Sequence, residues 1–208
     1  MRADRDPTPC PNCRLQGWLC VCALAPKVPA RTPLVLVVHV RDLGRTSNTV
    51  RLLSLAVRGT TVLCHGATPT PTDPGAHVPA GHTPLVLFPG RGARPLTPEL
   101  VAALPSPPAL VVPDGNWRQA SRMVKRLPLL AGAAKVALPH RAFDGGAVRR
   151  NREGHRMSTF EAVAQALGVL EGAAVAEPLF DFYRRATDRM LLVRGKLTLR
   201  DVYGGPDA

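Results

Sequence analysis

Four of the five cysteines in this 208-residue chain fall close together, as Cys10-x2-Cys13-x6-Cys20-x-Cys22. Two short-spaced pairs can bring four thiolates around one ion at about 2.3 Å, as a tetrahedral zinc site requires. Such a site has no open position, so the spacing predicts a structural zinc and not one that activates water. The second pair is a residue tighter than C-x2-C, which keeps an iron–sulfur cluster or a redox-labile pair as alternatives. A different chemistry is on offer at Asp114. The apolar run Leu110-Val111-Val112 stops at Pro113, and Asp114-Gly115-Asn116-Trp117 then opens a stretch of helix formers with Ala120, Met123, Val124 and Leu127 on one face. Open α/β sheets bind ligands outside the carboxyl ends of their strands, so an acid at that point is a candidate general base. Its competing role is that of a helix N-cap.

Between His140 and Met157 the chain turns basic: Arg141, Arg149, Arg150, Arg152, His155 and Arg156 stand among glycines with little that is apolar. A loop of this kind suits phosphates or a carboxylate, although a run of charge is commonly just a solvated face. It leads into Ser158-Thr159-Phe160-Glu161, a capping box, and so feeds a helix N-terminus whose unpaired N–H groups favour anions. Lys and Arg number 27 against 15 Asp and Glu, a net charge of +12. That balance points to a polyanionic partner, with general solubility charge as the alternative.

These groups need a scaffold, and strand and helix patterns alternate about five times along the chain. Leu34 to Val40 is a continuous apolar run, the mark of a strand buried on both faces. A helix capped by Thr46 or Ser47 follows, with Val50, Leu53, Leu55 and Val57 up to Gly59. Thr61–Cys64 is a second strand. Residues 67–83, rich in Pro, Thr and Gly, read as a mobile surface loop. Leu85–Phe88 is a third strand, ending at Pro89-Gly90, and Thr97-Pro98-Glu99 starts a short helix to Leu104. The strand and helix around Asp114 come next, then a strand over Lys135–Leu138. A helix from Ser158 to about Leu170 turns Phe160, Val163, Ala164, Leu167 and Leu170 inward. A last one, from Pro178 to about Val193, exposes Arg184, Arg185 and Arg189. Leu197–Leu199 is a possible final strand. The fold class is therefore α/β, a mostly parallel sheet with helices on both faces, preceded by a metal-binding segment over residues 1–30 that has little core of its own.

No stretch reaches the roughly 18 apolar residues of a membrane span, and the N-terminus lacks a signal peptide's apolar region. The expected compartment is the reducing cytoplasm, where clustered cysteines mean metal more often than disulfides. Neither Gly-x-Gly-x-x-Gly after a strand nor a phosphate-binding Gly-Lys-Ser/Thr is found, so a dinucleotide or ATP enzyme has no support. His39 reads as structural and Cys64 as core.

In order and spacing, four blocks resemble the DTW-domain family, tRNA-uridine aminocarboxypropyltransferases of the SPOUT-like superfamily. They are the cysteine knuckle, His39-Val-Arg-Asp42 leading to Arg45-Thr-Ser-Asn48-Thr49, Asp114-Gly-Asn-Trp117, and Arg149-Arg150 followed by Ser158-Thr-Phe-Glu161-Ala162. The family's naming motif is Asp-x-Thr-Trp, where this chain has Asn116. Its first block usually reads His-Pro-x-Glu and Asn-Thr-Gly, where this chain has Val40, Asp42 and Val50.

The resemblance implies a knot-forming catalytic domain over residues 31–208 and a monomer. It implies transfer of the 3-amino-3-carboxypropyl group of S-adenosylmethionine to N3 of a tRNA uridine, with methylthioadenosine leaving. Asp114 would be catalytic, and Thr49, Phe88, Pro89, Asn116, Trp117, Ser158, Thr159 and Glu161 would bind the cofactor. Arg149, Arg150 and Arg152 would bind RNA, and Cys10, Cys13, Cys20 and Cys22 would bind zinc. Uridine N3–H is a weak acid that must lose its proton to attack, which suits a carboxylate base. The competing functions are a SPOUT-type RNA methyltransferase with the same cofactor and a non-catalytic zinc-knuckle RNA-binding protein.

Overall fold

The computed structural model describes residues 8–45, 48–67, 72–138 and 157–204. Six strands, β1 Leu34–His39, β2 Thr61–His65, β3 Thr83–Leu87, β4 Arg94–Pro95, β5 Pro108–Asp114 and β6 Ala134–Ala137, form one sheet in the order β2-β1-β5-β3-β6-β4. Every pairing is parallel. The helices are α1 Val40–Leu43, α2 Val50–Ala56, α3 Pro98–Ala102, α4 Trp117–Arg126, α5 Pro128–Gly132, α6 Thr159–Glu171, α7 Ala173–Val193 and α8 Leu199–Tyr203.

The continuous apolar run of β1 is what a strand covered on both faces needs, and alternate residues divide between two cores. Leu34, Leu36 and Val38 join one core with Leu53, Phe160, Leu167, Leu179 and Phe182, from α2, α6 and α7. Val35 and Val37 join the other with Ala120, Met123, Val124 and Leu130, from α4 and α5. The cysteine segment adds Cys13, Leu15, Leu19 and Val21 to the first core. Helices α6 and α7 pack closely enough that a Cβ placed on Gly168 would lie 3.0 Å from that of Ala176.

Several expectations change. Strand β5 does not stop before Pro113 but runs on to Asp114, paired through Val37↔Pro113 and Val38↔Asp114 with β1. The ladder to β3 ends at Val111, so at the proline the strand has a ladder on one side only. Helix α2 starts at Val50, where Asn48 Oδ1 accepts from the Val50 N–H at 2.8 Å; the expected caps Thr46 and Ser47 lie outside the described residues. Helix α7 begins at Ala173 and contains Pro178, because good helix formers precede the proline and Ala176 is buried on α6. Leu197–Leu199 is no strand: Thr198 and Asp201 form a capping box that starts α8. The two-residue β4 and the short α5 carry too few residues to show a period. Cys64 lies on edge strand β2 and is only half-buried.

The path from β6 to α6 runs through 139–156, so the arginine loop and any knot formed there lie outside the described residues. Among the described residues, no helix is long and apolar enough to cross a membrane.

Candidate active site

Asp114 ends central strand β5 and is buried, at 9% exposure. Which acid-or-amide side chain caps α4 decides what Asp114 is for, and the cap is Asn116. Asn116 Oδ1 accepts from the Gln119 N–H at 3.0 Å, and Gln119 Oε1 accepts from the Asn116 N–H at 2.7 Å, a complete capping box. Asparagine caps at least as well as threonine, so the departure from Asp-x-Thr-Trp keeps the turn. Asp114 is left facing other elements. Its Oδ2 accepts from Asn48 Nδ2 at 3.0 Å, and its Oδ1 accepts from the Thr159 hydroxyl. The Asn48 amide is itself oriented, because its Oδ1 is bound to the Val50 N–H. These two bonds tie Asp114 to the segment before α2 and to the start of α6.

Thr159 is the first residue of α6, where Ser158 and Glu161 form the predicted capping box. Glu161 is buried, and its Oε2 accepts from the Ser158 N–H at 2.7 Å and from the Tyr183 hydroxyl at 3.5 Å. Burial, with the Glu161 charge beside it, pushes the Tyr183 phenol well above its ordinary range. Thr49 is buried too, and its hydroxyl accepts from the Phe160 N–H at 3.3 Å. The N–H groups of Ser158, Phe160 and Glu161 thus already have protein acceptors. Of the four donors that open a helix, Thr159 N–H is the one without an acceptor among the described residues.

The cofactor set implied by the resemblance therefore separates into two groups. Thr49, Ser158, Thr159 and Glu161 gather at the start of α6 beside Asp114. Phe88 and Trp117 form a stack, ring centroids 4.9 Å apart and 21° from parallel, at the end of β3 and start of α4. Pro89 is exposed just after β3. His39 does what its structural reading required: Nδ1 accepts from the Arg41 N–H at 3.2 Å and caps α1. Asn48 and Tyr183 were not singled out as site residues; the signal for Asn48 was an amide two residues before a helix.

The four cysteine sulfurs lie within 4.8 Å of one another, with Cys10–Cys22 at 3.6 Å and Cys13–Cys20 at 3.8 Å. A tetrahedron with metal–sulfur bonds of about 2.3 Å has edges of about 3.8 Å, so the donor set fits a tetrahedral ion. A disulfide would need about 2.05 Å. Hydrogen bonds from the backbone of Cys13, and then Asn12, draw the Cys10 thiol down to about 6, while burial pushes Cys13 and Cys22 up. Arg189 of α7, expected in solvent, instead donates to the carbonyls of Leu19 at 3.3 Å and Cys20 at 2.5 Å.

Comparison with known proteins bears on this arrangement. The chain is 25% identical over 190 residues to "tRNA-uridine aminocarboxypropyltransferase A" of Arabidopsis thaliana, covering 78% of this chain and 72% of that protein. The SAM-dependent rRNA:acp-transferase Tsr3 from Vulcanisaeta distributa aligns at a TM-score of 0.46 and 20% identity, over 83% of this chain and 84% of that one. A family model described as the DTW domain matches residues 8–191, from the cysteine segment to the end of α7, and on that match the chain belongs to the DTW domain family.

Proposed function

We propose that this chain is an RNA-modifying transferase that moves the 3-amino-3-carboxypropyl group of S-adenosylmethionine to N3 of a tRNA uridine, methylthioadenosine leaving. The observation that carries this reading is the setting of Asp114: buried at a central strand end, excused from capping by Asn116, and held by Asn48 and Thr159. A buried carboxylate that is not its helix's N-cap and is held by side-chain donors from two other segments has the attributes of a positioned base. The name of the Arabidopsis relative supports the substrate, and the net charge of +12 supports a nucleic acid.

Bound S-adenosylmethionine supplies a sulfonium-activated γ-carbon as the electrophile. Asp114 accepts the N3 proton as uridine attacks, and Asn48 and Thr159 keep its carboxylate in one orientation. The Thr159 N–H and the Arg149–Arg150 segment receive the cofactor's carboxylate; Thr49, Ser158 and Glu161 hold that end of α6 in register. Phe88, Pro89, Asn116 and Trp117 wall the opposite side. Cys10, Cys13, Cys20 and Cys22 hold zinc as a structural ion, in a metal-binding segment over residues 1–30 attached to a catalytic domain over 31–208.

The deciding experiment incubates the protein with labelled S-adenosylmethionine and unmodified tRNA and identifies both products. Methylthioadenosine with an aminocarboxypropylated uridine is expected. S-adenosylhomocysteine would make the protein a methyltransferase, and binding without turnover would make it a non-catalytic RNA-binding protein.

A further inference from the structure

Charge is divided unequally between the two faces of the sheet. Helices α2, α3, α6 and α7 pack on the face built around Phe160, and α7 alone mixes Glu177, Asp181 and Asp188 with Arg184, Arg185 and Arg189. Helices α4 and α5 cover the other face and carry no acid. Instead α4 exposes Arg118, Arg122, Lys125 and Arg126, while Ala120, Met123, Val124 and Leu127 are buried. Among the described residues, no carboxylate forms an ion pair with any of these four cations. Charge kept for solubility alone needs no such sorting, and the interspersed signs of α7 are the pattern that serves it.

Arg118, Arg122 and Arg126 fall on one row of the helix, about 6 Å apart along its axis. The far end of the row lies beside edge strand β2: burial first, then His39 and Arg126, hold the His65 imidazole below its ordinary range. Lys125 and Ser121 turn instead to the cleft of Phe88 and Trp117, the side that the reading above gives to the cofactor. The row and the cofactor thus share a helix without sharing a site. Exposed guanidiniums, each a planar fork of donors, suit the phosphates of a polynucleotide backbone. An anionic membrane suits them less, because the apolar face of α4 is buried in the core and cannot enter lipid. Resting on the RNA reading above, we propose that Arg118, Arg122 and Arg126 form a docking surface for the RNA substrate, binding backbone phosphates on one flank of the target uridine. The row begins four residues after Asp114, so a strand held along α4 arrives at the end of β5.

Two triple variants test the surface. Arg118→Gln with Arg122→Gln and Arg126→Gln removes the row, and Arg194→Gln with Lys196→Gln and Arg200→Gln removes three exposed charges just beyond α7 and in α8. Affinity for an unmodified tRNA transcript is measured across a salt series, S-adenosylmethionine affinity by calorimetry, and folding by thermal melts. The row variant is expected to bind the transcript at least about tenfold more weakly, with a salt slope shallower by about two to three. The α7–α8 variant should stay close to the parent, and cofactor affinity should hold in both. A parent-like slope in the folded row variant overturns the surface. So does an equal loss in the α7–α8 variant, which makes the effect one of net charge, or row-dependent binding to phosphatidylserine vesicles with transcript binding intact. Should the row variant not fold, Arg122→Glu alone carries the same comparison. Wild-type protein that binds no transcript removes the RNA reading itself, whereas transcript binding that ignores the row removes this surface only.

Discussion

Arg189, near the end of α7, reaches 169 residues back along the chain to donate to the carbonyl of Cys20 at 2.5 Å. The same guanidinium lies 5.7 Å from the centre of the Tyr203 ring, so one side chain joins the cysteine segment, the longest helix and α8. Replacing Arg189 with methionine keeps much of the stem and removes the donors. A charged hydrogen bond of this kind is worth about 1.5–3 kcal/mol. Denaturant melts should show a loss of that size, and a chromogenic chelator should strip the metal faster. Unchanged melting and unchanged metal release would show the tether to be idle.

Asp114→Asn separates the base from a structural acid. Asn keeps the shape and can accept from Asn48 while donating to the Thr159 hydroxyl, so folding should hold. Single-turnover transfer should fall by roughly 10²–10⁴, the share general-base catalysis supplies. Asp114→Ala differs: it strands the Asn48 amide and should cost about 1–3 kcal/mol of stability as well. Wild-type transfer in Asp114→Asn would end the catalytic assignment.

Asn48→Asp offers a pH test with a definite sign. It sets a second carboxylate about 3.0 Å from Asp114 Oδ2, where the amide donor now stands. Two carboxylates that close share a proton, and the apparent pKa of one rises. The proposed base works in its ionised form, so the acid limb of the rate–pH profile should move to higher pH, with activity regained as pH rises further. A limb that stays in place while the rate is lost would mean Asn48 matters for shape alone.

The sulfur geometry predicts one zinc per chain, with Cys64 left titratable by a thiol reagent. Cys13 is the fully buried member of the cluster, so Cys13→Ser should be the most damaging ligand change. Structural zinc in small peptides binds with about 10–16 kcal/mol. Removing it should unfold at least the cysteine segment, seen as metal loss and a lower, broader melt. Metal content unaffected by Cys13→Ser would refute the ligand set.

Transfer RNA binding should weaken steeply with salt as phosphate contacts release counterions. Changing Arg149, Arg150 and Arg152 together to alanine should reduce the salt slope by about two to three. A slope identical to that of the parent would take this segment out of the RNA interface.

The α/β class, the two-sided sheet and the capping box at Ser158 were legible because each has a local signature: an apolar run, a period, a cap three residues from its partner. The role of Asp114 was not. Asp114 and Asn116 both cap well and stand two residues apart, so the choice between them depends on how far β5 continues, which is settled by pairing of Pro113 and Asp114 with β1. Nor could Arg189 be placed, since an arginine on an amphipathic helix reads as solvated until the carbonyls it meets are in position. Asn48 was visible only as part of a resemblance, because no local pattern encodes its contact with Asp114.

Asp114 is held by partners drawn from 66 residues before it and 45 after it. Such closures come with the global fold, since long loops must be ordered before their contacts stabilise anything. A truncated or half-folded chain thus carries every residue of the site and none of its geometry. Modest loosening of α6 or of the segment before α2 should silence transfer at temperatures where the sheet still stands. The proposed transfer activity is then a more sensitive thermometer of the fold's integrity than any melt of its core.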